Sequence, residues 1–504
     1  MPDRFASQLR AAGIPLFVAA LVSMAAVDHP KTGWGVNTRL ALIFAVVDEG
    51  RLEIDSYHLR APTATGDKAV HDGHYYSDKI FGVSLLALPL YAAIRALGFE
   101  PDFQLSNWAL RVWAVSLPAA LSLVLLLALL VRAGADPWRA LVALSLVFWG
   151  SMWFGFSTSF FPYPTGVASS LLALWWILFP PGGRLAPRFA FAVGALCGFA
   201  MLCDLTFGLL VLGLVALFAW RLGADAGWLA PLPGTEAAAS LPAPDSRRAW
   251  AMTAAAGAVG GILPLAPFFA YTLHVFGELS VPYQHLALPV FQEEMARGFM
   301  GIHGPRLGPL WFITLHPHRG LFFWTPAFAL AAAGLVVALR AQGLVRVYGA
   351  LGLWALASYL VFNAGYYMWW GGYAMGPRHL LPAMAALPLG LWIACRPEAR
   401  RAWWLLLTLG AVGVALSLPV ALFEPETPVV DAYTTLRHAT PATPLRVSQL
   451  GFWKTVMSGA ALRSPGGGID LLRALSWAMA LAAPVLGAWW ARRRIAALAG
   501  RPAA

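Results

Sequence analysis

Apolar runs long enough to cross a lipid bilayer recur from one end of this 504-residue chain to the other, broken by short loops that carry arginine. About 20 apolar residues in a helix match the hydrocarbon thickness of a membrane. Hydrophobic residues make up 59% of the chain and charged residues 12%, too few to cover the surface of a soluble protein of this size. The expected fold is therefore all-α and polytopic. Spans are expected over 13–28, 108–131, 138–155, 163–180, 188–204, 205–221, 250–275, 321–339, 345–363, 380–395, 402–423 and 471–491. A further apolar stretch, 81–97, contains Pro89 and Arg95. Whether it crosses decides the sidedness of everything after it.

Arginine placement settles that parity, because short cytoplasmic loops collect Lys and Arg. If 81–97 is re-entrant or interfacial, twelve spans (eleven to thirteen as bounds) leave both termini inside. The inner segments then hold a net +12 and the outer ones −1, which together give the chain's +11. Letting 81–97 cross would put every later arginine-bearing loop on the wrong side. The basic balance is thus an orientation signal, and nucleic acid is not an expected partner. Arg4 and Arg10 before the run Ile14 to Val27 resemble a signal peptide, with Ser23-Met24-Ala25-Ala26 as a cleavage region. With so many spans following, the run reads as an uncleaved first helix. Cys197, Cys203 and Cys395 all fall in apolar segments and read as small hydrophobes. Asp204, at the tip of the 188–221 hairpin, is functional by default if intramembrane and simply wet if not.

This topology puts all eleven histidines and all four lysines outside. The outer loops 28–107, 276–320, 364–379 and 424–470 are long, whereas the longest inner loop, 222–249, is an Ala/Pro-rich linker. The first outer loop packs Arg39, Asp48-Glu49, Asp55, Asp67-Lys68 and His74-Tyr75-Tyr76-Ser77-Asp78-Lys79 into one stretch. Asn37 to Val47 is apolar at helical spacing and is expected to lie along the membrane surface. A solvated loop with scattered ion pairs would have the same composition. Two other outer sites carry arginine against the positive-inside bias: Arg319 in His316-Pro317-His318-Arg319-Gly320, and Arg378 in Trp369-Trp370 … Gly376-Pro377-Arg378-His379. Guanidinium pairs with phosphate oxygens in bidentate fashion, although an arginine at a helix end also snorkels to the interface. Trp369, Trp370, Tyr163 and their aromatic neighbours suit a sugar or a lipid groove, or act as interface anchors. Glu293-Glu294 reads as a solvated helical face. The histidines show no metal-ligand spacing, so no metal site is expected from them. No repeat relates the two halves of the chain, which counts against a transporter.

The run Asn37-Thr38-Arg39 … Gly50-x-Leu52-x-Ile54-Asp55 … Asp67-Lys68-Ala69 … Gly73-His74-Tyr75-Tyr76-Ser77-Asp78-Lys79-x-x-Gly82 resembles bacterial integral-membrane glycosyltransferases of the GT-C type. These are relatives of the protein mannosyltransferase and aminoarabinose transferase group, glycosyltransferase family 39-like. Phe276-Gly277, Pro282-Tyr283, Gly298 to Arg306, Arg319 to Phe323 and Gly376 to Leu380 resemble later blocks of the same family. The resemblance covers roughly residues 30–390, so the chain divides into a GT-C-like region, 1–395, and a C-terminal membrane region, 396–504.

The resemblance implies a bacterial inner-membrane enzyme with its site facing the periplasm or exterior. It would take a sugar from a polyprenyl-phosphate donor and pass it, with inversion, to a glycan, lipid or protein acceptor. No cofactor is implied, and a metal requirement stays open. Lys79 is similar to the lysine that meets donor phosphate in the aminoarabinose transferases, although Ile80-Phe81 replaces the two prolines of that segment. Arg39 is similar to the arginine of their Asp-Glu-x-Arg segment, but Val36-Asn37 stands where the acidic pair would fall. The general base must then be Asp28, Asp67 or Asp78. The two beside lysines, Asp67 and Asp78, are favoured because an adjacent cation holds an acid ionised. Arg39, Lys68, Lys79, Arg319, Arg378 and His379 are the expected phosphate-binding groups. His74, Tyr76, Trp369, Trp370 and Tyr163 are the expected lining of a substrate groove. The rival readings are a flippase or transporter of lipid-linked sugars and a non-catalytic partner with the same fold.

Overall fold

A computed structural model describes residues 2–29, 31–231, 247–464 and 468–498. Each of the twelve expected spans contains a helix. Among the described residues seven helices are long and apolar enough to cross a membrane: Phe5–Ala26, Phe103–Arg132, Leu205–Asp225, Arg247–Phe276, Leu344–Gly365, Arg400–Phe423 and Leu471–Leu498. Shorter apolar helices cover Pro137–Trp149, Tyr163–Leu178, Pro187–Cys203 and Ala327–Ala338. The twelfth is broken: Arg378–Ala385 and Leu387–Cys395 meet at 59°. Pro382 and Pro388 remove backbone donors on either side of the bend. A broken helix at membrane depth is tolerated where protein surrounds it, and almost every residue of this one is buried.

The first helix, α1 (Pro2–Ala26), is followed by α2 (Trp34–Phe44), which continues as a π turn over Ala45–Glu49. The helical spacing of 37–47 is thus borne out, but its expected place is not. Every residue from Gly35 to Phe44 is buried, so α2 packs inside the protein and not on the membrane surface. The stretch 81–97 forms α3 (Gly82–Ala96), about 22 Å long and well short of a hydrocarbon core of about 30 Å.

One departure from an all-helical fold lies in the first long loop. Strands β1 (Lys68–His71) and β2 (His74–Ser77) form an antiparallel hairpin, the only sheet among the described residues. Its turn is Asp72-Gly73, with φ of 48° and 82°. Asp-Gly readily adopts the two left-handed residues that a tight hairpin turn requires. That dipeptide was the available sequence signal for the hairpin.

Close helix packing rests on small residues. A Cβ added at Gly194 would fall on the Gly257 carbonyl oxygen, and one at Gly198 on that of Gly261. Both helices therefore present glycines four residues apart, the spacing that lets membrane helices touch backbone to backbone. Gly194→Val is expected to cost about 1–3 kcal/mol through overpacking. A lowered thermal midpoint in detergent would show it, with Gly451→Ala as the neutral control, since its methyl meets nothing within 4 Å.

The four long loops meet at one end of the bundle and are laced by backbone hydrogen bonds. Strand β1 bonds to the second loop (Val70 N–H to His285 O, 2.8 Å; Ala287 N–H to Lys68 O, 3.0 Å). That loop bonds to the third (His303 N–H to Gly365 O, 3.0 Å; Tyr367 N–H to Gly301 O, 2.9 Å). The third bonds to the fourth (Ala374 N–H to Thr427 O, 3.0 Å; Met375 N–H to Pro425 O, 2.9 Å). Short loops meet one another at the opposite end, where Asp136 N–H donates to Cys395 O at 2.9 Å and Leu185 N–H donates to Asp225 Oδ2 at 3.0 Å. Glu294 is not the solvated group expected from the sequence. It is buried, and its carboxylate takes Arg297 at 3.0 Å and Arg437 of the fourth loop at 2.8 Å.

Candidate active site

Hairpin register assembles the centre of the site. Lys68 pairs with Ser77, so each partner pair sums to 145. One step beyond the ladder, that sum sets Asp67 opposite Asp78. Lys79 follows directly and bridges the two, its Nζ 2.9 Å from Asp67 Oδ2 and 2.8 Å from Asp78 Oδ2. Thr65 fixes the approach: its hydroxyl donates to Trp34 O at 3.0 Å and accepts the Asp67 N–H at 3.0 Å. Thr38 of α2 hydrogen-bonds Ser77 at 3.1 Å, which brings the next residue, Arg39, alongside.

The two acids differ in access. The Asp78 side chain is 3% exposed and that of Asp67 24%. Burial raises both carboxyls, but for Asp67 the opposing charges of Lys79, Arg378 and Arg39 prevail and hold it below the ordinary range. For Asp78 burial prevails over Lys79, and the Asp67 charge adds to it, pushing the group up to about 6. Burial acts to lower Lys79, yet the two carboxylates outweigh it and hold the ammonium form firmly.

Two guanidinium groups close on this centre. The Cζ of Arg39 lies 5.6 Å from the centroid of the Phe161 ring and that of Arg378 lies 5.5 Å from the same centroid. Arg39 donates to the Gly35 carbonyl. Among the described residues neither arginine makes an ion pair, and the Nε of each is buried without a partner. Gly35 marks the point of convergence: a Cβ there would meet Arg39 Nη1 at 3.4 Å, Asp67 Oδ2 at 3.5 Å and Phe161 Cζ at 3.7 Å. Tyr283 lies 5.6 Å from the Lys79 ammonium, and the Tyr163 ring lies parallel to Phe161 with centroids 6.3 Å apart. Like charges gathered without a carboxylate in contact make a ready seat for an anion.

The other expected residues are placed elsewhere. Asp28 is exposed at the end of α1. Lys68 turns away from Asp67 to meet His58 at 2.7 Å and the Tyr75 ring at 4.7 Å. His74 is exposed at the hairpin tip, bonded to Asp55 at 2.7 Å. Tyr76 is buried with Tyr271 and Phe276. Arg319 is fully buried, and its guanidinium donates to the carbonyls of Ala374, Gly372 and Thr427. It ties the third and fourth loops together through both terminal nitrogens, while its Nε is buried without a partner. Trp369 is likewise internal, stacked on Phe312 and donating to Leu436 O at 2.9 Å, while Trp370 packs on Tyr433. His379 is buried edge-on to Tyr366 at 5.4 Å. Asp204 caps the turn Leu205–Phe207 and accepts from Thr206 N at 2.9 Å and from its hydroxyl at 2.6 Å. Among the described residues no three His, Cys, Asp or Glu side chains converge as a metal site.

Phe161 belongs to the aromatic run around Tyr163 that suited a sugar or lipid groove, whereas Glu426 was not singled out from the sequence. Glu426, from the fourth loop, is buried and accepts from the Ser159 hydroxyl at 3.0 Å. Its Oε2 occupies the place a Cβ on Gly33 would take. Burial raises its pKa, only partly offset by the Gly33 backbone and Ser159.

No family model matches the chain, and no curated protein does. Among solved structures it is similar to ArnT from Cupriavidus metallidurans in the apo state, at 16% identity and a TM-score of 0.49, covering 95% of this chain and 75% of that one. It is also similar to the same protein bound to undecaprenyl phosphate, at 16% identity and a TM-score of 0.44, covering 97% and 77%. At that level of similarity, assigning a function falls to the chain's own residues.

Proposed function

We propose that the protein is a glycosyltransferase that moves a sugar from a polyprenyl-phosphate donor to a hydroxyl-bearing acceptor. The observation that carries this is a lysine–carboxylate centre beside two guanidinium groups without ion-pair partners, at the laced end of a bundle of apolar helices. Arg39, Arg378 and Lys79 hold the donor phosphate. Asp67, the more accessible acid and ionised at neutral pH, takes the proton of the acceptor hydroxyl as its oxygen attacks the anomeric carbon. The bond from that carbon to the phosphate oxygen breaks with inversion, and the three cations stabilise the charge left on the phosphate. Asp78, buried beneath Lys79, keeps the ammonium in place. Donor lipid reaches the site from the bilayer, and the site faces the periplasm or exterior of a bacterial inner membrane.

The test is transfer from a labelled polyprenyl-phosphate sugar to acceptors in a membrane fraction by the purified protein. Labelled product is expected. Donor crossing liposomes without an acceptor, or cysteine labelling that puts 66–79 in the cytosol, would overturn the reading. A pH dependence follows from Asp78. Below about 6 that acid is neutral, so the centre is one unit more positive, and a donor phosphate diester keeps its charge. Donor affinity is expected to rise several-fold as pH falls through about 6. Titrating KM against pH should show that rise in the native protein and a flat profile in Asp78→Asn.

A further inference from the structure

We infer that Glu426, from the fourth loop, is a positioning residue that sets the spacing of the guanidinium groups around the donor phosphate. The inference rests on the function proposed above. Three segments carry the cationic part of the site: α2 with Arg39, the turn 158–161 with Phe161, and 374–378 with Arg378. Glu426 touches or adjoins all three. Its Oε1 accepts from Ser159, two residues before the ring that lies between 5.5 and 5.6 Å from both guanidinium carbons. Its Oε2 abuts Gly33, the residue that caps α2. Its neighbours Pro425 and Thr427 accept the N–H groups of Met375 and Ala374, three and four residues before Arg378. The carboxylate therefore joins two of these pieces, and the backbone on either side of it holds the third.

The cost of this arrangement argues for a use. A buried carboxylate with no cation in contact is expensive to keep, and nothing about filling the space requires a charge. Glutamine has the same shape and can satisfy both neighbours, its oxygen accepting at Gly33 and its amide donating to the Ser159 hydroxyl. Reach is therefore the property that matters. A side chain one methylene shorter keeps the charge but cannot hold Ser159 and Gly33 together.

The test measures binding of farnesyl phosphate to the detergent-solubilised protein and its Glu426→Asp, Glu426→Gln and Gly33→Ala variants, with thermal midpoints in parallel. Glu426→Asp is expected to weaken binding about tenfold through misplacement of the cations, and Gly33→Ala to do the same by pushing the carboxylate out of its seat. Glu426→Gln should bind within about twofold of the native protein, with an equal or higher midpoint, because shape is kept and a buried charge is removed. A group that only stabilises the fold would lower the midpoint and leave the affinity of the folded protein unchanged. Native affinity in Glu426→Asp would overturn the inference while leaving the proposed function standing, and so would equal weakening in Glu426→Gln and Glu426→Asp. If the native protein bound no farnesyl phosphate, the proposed function and this role would fall together.

Discussion

Asp67→Asn is expected to abolish sugar transfer, lowering kcat by about 10²–10⁴-fold, the usual contribution of a positioned proton acceptor. Donor binding should be unchanged or tighter. The asparagine carbonyl can still accept from Lys79, now 2.9 Å from Asp67 Oδ2, so the fold around the centre is kept. One negative charge beside the phosphate seat disappears, which favours an anion. Asp78→Asn should have the smaller effect on kcat, because that side chain is only 3% exposed and lies out of reach of an incoming hydroxyl. Single-turnover transfer at saturating donor, with farnesyl phosphate binding measured alongside, separates the two acids. A native rate in Asp67→Asn, or the larger loss in Asp78→Asn, would reverse the assignment.

Arg378→Ala is expected to raise the donor KM by about two orders of magnitude without lowering thermal stability. Losing a charge-assisted bond to a desolvated partner costs about 2–5 kcal/mol, and about 1.4 kcal/mol is tenfold in affinity. Stability should hold because the guanidinium has no ion pair among the described residues and its Nε is unpartnered. It also repels Arg319 and attracts Asp67, so its removal loses one favourable and one unfavourable interaction. Lys79→Ala should behave differently. It strips the counter-charge from two carboxylates at once, and breaking a buried pair costs about 3–5 kcal/mol. The first variant should therefore fold normally and bind poorly, while the second should fail to accumulate. A parallel fall in the midpoint of Arg378→Ala would mean that the arginine serves the fold and not a ligand.

Much of this molecule was legible in its residues, and what was not has physical reasons. Spanning helices announce themselves because lipid leaves the backbone one economical way to cross; even the broken pair at 378–395 coincides with an expected segment. The pairing of Asp78 with Lys79 was legible too, but Asp67 was expected to lean on Lys68, which turns away to His58. The cation it meets is Lys79, from the far side of a hairpin whose register the Asp72-Gly73 turn would have supplied. Arg319 and Trp369 misled because an arginine or tryptophan near a helix end has the same sequence signature whether it faces a ligand or backbone carbonyls. The buried face of α2 was hidden because apolar periodicity says that a face is covered without saying whether protein or lipid covers it. Glu426 was invisible for a different reason. It is one of two glutamates, with Glu424, at the start of an unremarkable loop, 387 positions from Arg39, and only the folded chain brings Glu426 and Arg39 together.

The lacing of the four long loops bears on when this protein can become competent during its own synthesis. A nascent chain stopped short of residue 424 would already have inserted most of its apolar helices, yet the last strap across its crown would still be missing. Membrane insertion of those helices and completion of the laced crown are therefore separate events in the life of the chain, and the second waits for 424–470 to emerge from the ribosome.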